Sequence, residues 1–461
     1  MKQLEYDAII IGGGQAGIPL AYALAKAGWR TALIERKDLG GSCVNFGCTP
    51  TKAAFASARL AHQARRAHEF GLRIPHVETD FPAVLNRARQ IAAESRVGLE
   101  QGFANSENPR LVRGQARFER RDERDGLFAV RVGDDVLRAK QIVLNTGTRS
   151  LIPPIEGLEQ VKFIDAENWL EQTALPAHLA IAGGSYIGLE MAQFYRRMGS
   201  LVTVIENHSQ IASREDSEVA TALQTLLERE EIEFRLNSKL IQVERERGDL
   251  ILTLDNSSNS RETLQVSHLF IASGRRANTD DLGLETVGVK TDRRGVVEVD
   301  ERLATTVPGI WAAGDIRGGF QFTHTSWDDF RVLESQMIGD RSKTTRRIVP
   351  YAVFTDPELG RVGLSEREAS EQKINFKVNR FEMKKNGKAR EIGESEGFIK
   401  VMIDAETNRI IGAAILAHEA AEIIHIFVDL MNADAPFTVL RDAVHVHPTL
   451  AEAVQSAVKP F

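Results

Sequence analysis

Apolar and polar positions follow the same order twice in the first half of the chain. Residues 8–11 form a short, fully apolar run, a glycine-rich turn follows, apolar residues recur at helical spacing from 20 to 25, and a second apolar run covers 31–34. The same order returns between residues 179 and 205. Short apolar runs joined by a segment of helical period predict strand–helix–strand units of a parallel sheet.

Each unit carries a glycine-rich turn between its first strand and its helix. In such turns the first position permits the tight bend, the second lets a pyrophosphate approach the backbone, and the third lets the helix pack closely on the strand. An acidic residue that ends the next strand can hold a ribose hydroxyl. These positions are Gly12, Gly14, Gly17 and Glu35 in the first unit, and Gly183, Ser185, Gly188 and Glu206 in the second.

The two units are in register, since the first glycine and the acid are 23 residues apart in both. One such turn is weak evidence, because any tight strand-to-helix connection can produce it. Two copies, each with its acid, predict two dinucleotide sites. The alternative is a pair of ordinary crossovers whose glycines serve packing only. Ser185 stands where a glycine is usual, so a small side chain must fit beside the phosphates of the second site.

The remaining sequence divides at visible boundaries. Helical periodicity from about 50 to 103 leads into strand-like sequence at 111–144, and Pro153 with Pro154 marks a linker into the second unit. We predict an α/β protein with two Rossmann-like nucleotide-binding domains and an α+β C-terminal domain. The first nucleotide domain would comprise 1–150 and 273–348, the second 151–272, and the C-terminal domain 349–461.

Composition fits several folded domains and excludes some functions. The chain has 461 residues, of which 43% are hydrophobic and 26% charged, enough for about three domains with sizeable cores. The net charge of −6 gives no basic excess, so we expect no nucleic-acid partner. We expect no signal peptide, and the sequence contains no apolar stretch of the ~20 residues that a membrane helix needs. We therefore expect a soluble, cytoplasmic protein that acts on a small molecule.

The only two cysteines, Cys43 and Cys48, lie within one hexapeptide. They cannot form a disulfide framework, no Cys/His cluster has zinc spacing, and we predict no metal site. On a regular helix this spacing puts the two Cα atoms ~8 Å apart, too far for a disulfide, so the segment must fold back, which Gly47 permits. A thiolate here would be stabilised by a following helix N-terminus and by Lys52. The alternative is two buried, inert thiols.

Residues 40–52, GGSCVNFGCTPTK, resemble the redox-disulfide signature of the class I pyridine nucleotide-disulfide oxidoreductases. This FAD-dependent family includes dihydrolipoyl dehydrogenase, glutathione reductase and mercuric reductase. The resemblance continues along essentially the whole chain and is nearest to the mercuric-reductase-like and dihydrolipoyl dehydrogenase-like branch. Further matching motifs are Thr146-Gly147, residues 306–315, residues 354–358, and His447-Pro448-Thr449 with Glu452.

The resemblance implies two cofactors, FAD and a nicotinamide dinucleotide. The implied FAD-binding residues are Gly12, Gly14, Gln15, Ala16, Gly17, Glu35, Arg36, Gly41, Ser42, Lys52, Gln115, Ala116, Thr146, Gly147, Arg275, Gly314, Asp315, Phe322 and Thr323. The implied NAD-binding residues are Gly183, Ser185, Tyr186, Ile187, Gly188, Glu206 and Gly274. Among these, Tyr186 occupies the position of an aromatic gate over the nicotinamide pocket.

The resemblance also implies catalytic roles. Cys48 would face the flavin and Cys43 would exchange with substrate, while Lys52, paired with Glu190, would lie beside the flavin's reactive nitrogen. Thiol exchange needs a proton shuttle near neutral pH, a task suited to His447 oriented by Glu452. In the family this histidine serves the partner's active site, which implies a homodimer.

Glu206 also predicts which nicotinamide dinucleotide is used. Its carboxylate should accept a hydrogen bond from a free 2′-hydroxyl and repel a 2′-phosphate, so we expect NADH to be preferred over NADPH. We therefore predict electron transfer from NADH through FAD and the Cys43–Cys48 disulfide to a small thiol-reactive acceptor, as in a mercuric-reductase-like enzyme. Alternatives are a dihydrolipoyl dehydrogenase, a flavin-dependent quinone or diaphorase-type reductase, and a non-enzymatic FAD-binding subunit.

Three departures from simple patterns have structural interpretations. Asn145 replaces a small residue before Thr146, and Ala277 replaces a proline; we interpret both as changes of packing. The basic, alanine-rich segment from 58 to 68 predicts a solvated helix face that binds no ligand.

Overall fold

The computed structural model describes residues 3–121, 125–256 and 260–461. The strands are β1 Gln3–Ile11, β2 Thr31–Glu35, β3 Arg110–Arg113, β4 Ala116–Arg121, β5 Phe128–Val132, β6 Asp135–Leu144, β7 Thr148–Ser150, β8 His178–Ala182, β9 Leu201–Ile205, β10 Ile232–Arg235, β11 Ser238–Glu246, β12 Asp249–Asn256, β13 Arg261–Val266, β14 His268–Ile271, β15 Arg275–Ala277, β16 Ile310–Ala312, β17 Tyr351–Val353, β18 Glu358–Gly363, β19 Phe376–Glu382, β20 Phe398–Asp404 and β21 Ile410–Ala417.

The α-helices are α1 Gly17–Lys26, α2 Gly41–Asn45, α3 Cys48–Arg65, α4 Phe81–Ala104, α5 Tyr186–Met198, α6 Ser217–Arg229, α7 Thr323–Ile338, α8 Glu366–Glu371, α9 Gly387–Glu391, α10 Ala420–Ile423, α11 His425–Asn432, α12 Thr438–Asp442 and α13 Ala453–Val458. Short 3-10 turns cover Ala67–Phe70, Leu158–Gln160, Trp169–Glu171, Leu284–Thr286, Gly314–Arg317 and Met383–Lys385.

The first nucleotide unit is built on a sheet in the order β3-β2-β1-β6-β5-β4, with β16 paired to β6. Strands β1, β2, β3, β6 and β16 run parallel, and Ile9, Ile10 and Ile142 in its centre are fully buried. Strand β16 comes from sequence more than 160 residues after β6, so this sheet is assembled from two separated segments. The buried, near-continuous apolar strands are those expected of a parallel sheet covered on both faces.

The second unit repeats the parallel arrangement on a smaller scale. Its sheet has the order β10-β9-β8-β14, all parallel, and an antiparallel sheet β11-β12-β13 lies beside it in the sequence. Helix α5 follows β8 and is buried on nearly all sides, with Phe194 and Tyr195 both fully buried. The predicted strand–helix–strand pattern is therefore present in both units.

The C-terminal region folds differently. Its sheet has the order β17-β18-β21-β20-β19, and all pairings are antiparallel. The apolar side chains of α10 to α13 join those of β20 and β21 in one buried cluster. Two Rossmann-like domains and a C-terminal α+β domain confirm the predicted fold class.

Helix α3, which begins at Cys48, lies between these parts of the molecule. It packs against α4 and α5, and its second half makes polar contacts rather than a solvated face. Arg59 contacts His418 at 2.5 Å, Arg66 pairs with Glu394 at 3.1 Å, and Arg65 donates to a backbone carbonyl 2.7 Å away. The expectation of a solvated face at 58–68 was therefore wrong for Arg59 and Arg66, whose partners come from distant sequence, whereas Arg65 and His68 are exposed as expected.

Asn145 bridges two elements of the first unit. Its Oδ1 accepts from the N–H of Gly17, the first residue of α1, at 2.9 Å, and its Nδ2 donates to the carbonyl of Ala313 at 2.8 Å. The side chain is buried, so both bonds are shielded from water. The residue thus ties the start of α1 to the segment after β16, in line with a packing role.

We predict that Asn145→Ala lowers the free energy of unfolding by about 2 kcal/mol, because a buried N–H and a buried carbonyl lose their partner. Urea denaturation without added cofactor measures the change. The exposed Asn375 provides the matched control, and Asn375→Ala should stay within about 0.5 kcal/mol of the original protein. Equal midpoints for the two variants would show that the bridge contributes nothing.

Candidate active site

A continuous cavity of about 2410 Å³ connects both glycine-rich turns with the cysteine pair. It is far larger than the ~300–1,000 Å³ of an ordinary small-molecule pocket, so it has room for more than one dinucleotide. Its wall includes Gly12, Glu35, Cys48, Gly183 and Glu206. The predicted cofactor-binding residues that do not line it are Ala16, Gly17, Gly188 and Gly314.

Two of the residues absent from the wall, Gly17 and Gly188, lie where backbone segments approach one another. A Cβ on Gly17 would stand 2.3 Å from the carbonyl oxygen of Gly12, and a Cβ on Gly188 would stand 1.9 Å from that of Gly183. Only glycine fits such contacts. The third glycine of each turn therefore closes the helix onto the strand, and the first two positions of the turn face the cavity.

The two acids at the strand ends are held in the same way. Glu35 accepts from the N–H groups of Gly13 and Lys37, both at 2.7 Å. Glu206 accepts from the N–H of Gly184 at 2.7 Å and from that of His208 at 2.9 Å, which are the equivalent positions of the second unit. Each carboxylate is thereby fixed beside its turn, where a ribose would lie.

The Glu206 carboxylate of the second unit has one contact that Glu35 lacks. The imidazole Nδ1 of His208 lies 2.5 Å from Oε1 of Glu206, a contact that Glu35 does not have in the equivalent place. Sequence analysis did not single out His208. His208 stands two residues after the acid, so its sequence position was a usable signal. Only the folded turn shows that its ring contacts the Glu206 carboxylate.

The cysteines sit on a tight reversal between two helices. Helix α2 carries Cys43, the N–H of Gly47 donates to the carbonyl of Ser42 at 2.7 Å, and α3 starts at Cys48. A Cβ on Gly47 would lie 2.8 Å from that same oxygen, so the reversal depends on glycine. Both thiols are free and line the cavity.

The surroundings favour a thiolate at Cys48. A hydrogen bond with Cys43, a second with Thr323 and the charge of Lys52 lower the pKa of the Cys48 thiol to about 6, against the opposing effect of burial. The Thr323 hydroxyl lies 3.2 Å from its sulfur. The pKa of Cys43 is raised by its hydrogen bond with Cys48 and by burial. The two sulfurs therefore differ, with the negative charge on the one nearer Thr323.

An ion pair adjoins the cysteines. Lys52, one turn into α3, places its Nζ 2.9 Å from Oε2 of Glu190 on α5. The other carboxylate oxygen accepts from the N–H of Phe354 at 2.9 Å, and the Lys52 Nζ lies 4.3 Å from the Phe354 ring centroid. Phe354, which lines the cavity, was used in the sequence analysis only as part of a motif.

The first-unit end of the cavity fits FAD. Glu35 is fixed where an adenosine ribose would lie, Gly12 and Gly14 line the adjacent wall, and Asp315 lies further along the same wall. Asp315 accepts from the hydroxyl of Thr148 at 3.1 Å, and burial raises the pKa of its carboxyl. A carboxyl in a buried wall of polar groups suits the hydroxyls of a ribityl chain.

The predicted acid–base pair is assembled, but away from the cavity. The His447 Nδ1 lies 3.0 Å from Oε2 of Glu452, and the histidine side chain is 74% exposed. Neither residue lines the cavity within this chain. The pair would need a second copy of the chain to reach a cysteine.

Among the described residues, one group of three side chains has its ligand atoms close enough to hold a metal ion: Asp356, Glu394 and His418. Each already contacts an arginine, at 2.7 Å from Arg197 to Asp356 for example. The surrounding positive charge disfavours a cation there. Within the described ranges, no helix combines the length and apolar character needed to cross a membrane.

Comparisons with known proteins extend over nearly the whole chain. The family model described as pyridine nucleotide-disulphide oxidoreductase matches residues 6–329, and the model of the dimerisation domain of the same family matches 349–458. A probable pyridine nucleotide-disulfide oxidoreductase, RclA of Escherichia coli (strain K12), is 34% identical, with 98% of each chain covered. Mitochondrial dihydrolipoyl dehydrogenase 1 of Arabidopsis thaliana is 31% identical over 98% of this chain and 90% of its own.

Solved structures agree with the sequence relatives. The structure titled HOCl-induced flavoprotein disulfide reductase RclA from Escherichia coli superposes with a TM-score of 0.87 at 34% identity, covering 98% of this chain and 99% of the other. A Cu(II) complex of the same protein gives a TM-score of 0.88 at 33% identity, with 99% of both chains covered. The chain belongs to the pyridine nucleotide-disulfide oxidoreductases, flavin-dependent enzymes that act on sulfur groups.

Proposed function

We propose that this enzyme takes electrons from NADH and delivers them, through FAD and the Cys43–Cys48 pair, to a small thiol-reactive acceptor. The observation that carries the proposal is the single cavity, in which the cysteine pair and the Lys52–Glu190 ion pair lie between two dinucleotide turns. A redox pair recycled by NADH fits a reducing compartment, and we place the enzyme in the cytoplasm.

Each part of the chain has a role in this proposal. Residues 1–150 with 273–348 would bind FAD, 151–272 would bind the dinucleotide, and 349–461 would join two subunits. Bound FAD would supply the two-electron chemistry that links the nicotinamide to the disulfide. Lys52 and Glu190 orient each other at the place where the two cofactor ends meet, and Phe354 covers the lysine.

The sulfur chemistry follows from the unequal thiols. Reduction of the disulfide adds two electrons and one proton, which gives one thiol and one thiolate, and the lower pKa of Cys48 leaves the negative charge on that sulfur. Cys43 then loses its proton to a base, and its thiolate displaces a leaving group from the acceptor, so that a sulfur–acceptor bond forms and the departing group takes up the proton. The Cys48 thiolate attacks Cys43, the S–S bond reforms, and the acceptor leaves with two electrons. Because the chain has no further cysteine, the acceptor must reach Cys43 directly.

We further propose that the base is His447 of a second subunit. Its carboxylate partner Glu452 holds the ring by Nδ1, so Nε2 is free to exchange a proton. The pair is exposed and stands apart from the cavity of its own chain, as a residue that serves a neighbour would. A homodimer would then be necessary for thiol turnover.

The absence of a second cysteine pair supports a small acceptor. Nothing in the chain could relay a metal ion inward to Cys43, so the acceptor has to reach that sulfur by itself. The relatives include enzymes for lipoamide and a disulfide reductase described as HOCl-induced and solved with Cu(II). We favour a small oxidant or thiophilic ion over lipoamide, since Thr49 and Thr51 depart from the signature usual in dihydrolipoyl dehydrogenase. A quinone reductase in which the disulfide is incidental remains the second candidate function.

Cys43→Ser and Cys48→Ser should each abolish NADH-dependent turnover of the true acceptor, because each removes one half of the disulfide. The measurement is NADH oxidation across lipoamide, low-molecular-weight disulfides, Hg(II), Cu(II), hypothiocyanite and quinones. Quinone reduction is the internal control, since it needs no dithiol and should survive in both variants. Full turnover of every productive acceptor in both variants would rule out the disulfide route.

The preference for NADH should depend on the charge of Glu206. We expect kcat/KM to favour NADH over NADPH by about tenfold or more, because a 2′-phosphate would meet a fixed carboxylate. Glu206→Gln keeps the shape of the side chain without its charge and should reduce the preference for NADH over NADPH. Glu206→Arg should reverse that preference. Turnover of the unaltered enzyme with NADPH that equals turnover with NADH contradicts this part of the proposal.

The reduced enzyme should alkylate at Cys48 with an apparent pKa of about 6. The thiolate is populated above that pH and is lost below it, so the labelling rate rises through pH 6 and then levels off. Iodoacetamide labelling resolved by peptide mass spectrometry measures the rate at each sulfur. Lys52→Met should shift the midpoint upward, since the lysine charge favours the thiolate. A midpoint at the ordinary thiol value of about 8.5 would contradict the assignment.

A further inference from the structure

Two tyrosines from different domains share one buried carboxylate. The hydroxyl of Tyr186, at the start of α5, donates to Oε1 of Glu215 at 2.9 Å. The hydroxyl of Tyr351, the first residue of β17, donates to the same oxygen at 2.7 Å. Glu215 lies just before α6, so the contact joins two elements of the second nucleotide unit to the C-terminal sheet. Sequence analysis identified Tyr186 alone.

The shared carboxylate is shielded from solvent by burial. The Glu215 side chain is fully buried, and its second oxygen lies 3.7 Å from Nε of Arg361, which is itself 3% exposed. Within the described residues, that second oxygen accepts no hydrogen bond. Burial raises the pKa of both tyrosines, so both stay protonated and act as donors. Hydrogen bonds to a buried charged acceptor are strong relative to neutral ones.

The rings reinforce the hydroxyl contacts. Tyr186 stacks on Tyr351 with centroids 5.5 Å apart, and Tyr351 stacks in turn on Phe322, also at 5.5 Å. Phe322 precedes Thr323, whose hydroxyl contacts Cys48. The ring of Tyr186 is therefore fixed at two points, its face and its hydroxyl, on the side of the cavity formed by the C-terminal domain.

This position matters because of what lies next on the same helix. Glu190 follows Tyr186 by four residues, so the two share a face of α5, and Glu190 binds Lys52. Tyr186 lines the same cavity as Lys52, so its ring borders the space in which a nicotinamide beside Lys52 would lie. A tyrosine free to rotate would fill that space part of the time.

We propose that Glu215 and Tyr351 form a latch that draws Tyr186 against the C-terminal domain and so keeps the nicotinamide end of the cavity open. The inference rests on the proposed function, since it assumes that a nicotinamide enters beside Lys52. In this arrangement Glu215 and Tyr351 are positioning residues that act through Tyr186. Any loss of the latch reduces the fraction of protein that is ready to bind, and the apparent affinity falls by that fraction.

The test is calorimetric binding of NAD⁺ and of ADP-ribose to the FAD-loaded, oxidised protein. ADP-ribose lacks the nicotinamide and serves as the control ligand. Tyr186→Phe keeps the ring and removes only the hydroxyl contact, and Glu215→Gln removes the charge. Each should weaken NAD⁺ binding by about three- to tenfold and leave ADP-ribose binding unchanged.

A third variant shows whether Glu215 acts through the ring. In Tyr186→Ala there is no ring to restrain, so adding Glu215→Gln should cause no further loss of NAD⁺ affinity. Unchanged NAD⁺ binding in Tyr186→Phe would overturn the latch, as would equal losses for both ligands in Glu215→Gln or a further loss in the double variant. If NADH does not reduce the unaltered FAD-loaded protein, the proposed function fails instead, which separates the two outcomes.

Discussion

The carboxylate of Glu190 is the contact on which the arrangement of the active site depends. One oxygen binds Lys52, on the helix that begins at Cys48, and the other accepts from the N–H of Phe354 in the C-terminal domain. Glu190 itself belongs to the second nucleotide unit, and its side chain is only 11% exposed. Removing one partner would leave a largely buried charge uncompensated. These two contacts therefore hold parts of all three domains together beside the cysteine pair.

The repeat explains how two cofactors can meet at that point. Each acid, Glu35 or Glu206, is fixed by two backbone N–H groups beside its own turn, and the cavity runs on from both turns to the cysteines. Dinucleotides held at Glu35 and Glu206 would have their ribose ends at the two turns, and the cavity would leave room for their other ends beside the cysteines. The Tyr186–Glu215–Tyr351 hydrogen bonds are a further contact between the second nucleotide unit and the C-terminal domain. They lie on the side where the nicotinamide would arrive.

Sequence patterns predicted the fold class well because its determinants are local. These are short apolar runs, glycines at positions where the backbone approach leaves no room for a Cβ, and a cysteine pair next to the start of a helix. They failed where the partner is distant in sequence. The basic stretch at 58–68 looks like a solvated face until His418 and Glu394 lie against it. Glu215 carried no motif at all, since its role depends on Tyr351, 136 residues away.

The proposed function rests on the transfer of electrons from NADH to the Cys43–Cys48 disulfide. Counting free thiols tests it most directly: the air-oxidised, FAD-loaded enzyme is treated anaerobically with one equivalent of NADH, alkylated under denaturing conditions and mapped by mass spectrometry. We expect no labelled cysteine before NADH is added, and labelling of both Cys43 and Cys48 after its addition. Consumption of NADH with both cysteines still unlabelled, or with both labelled from the outset, would contradict it.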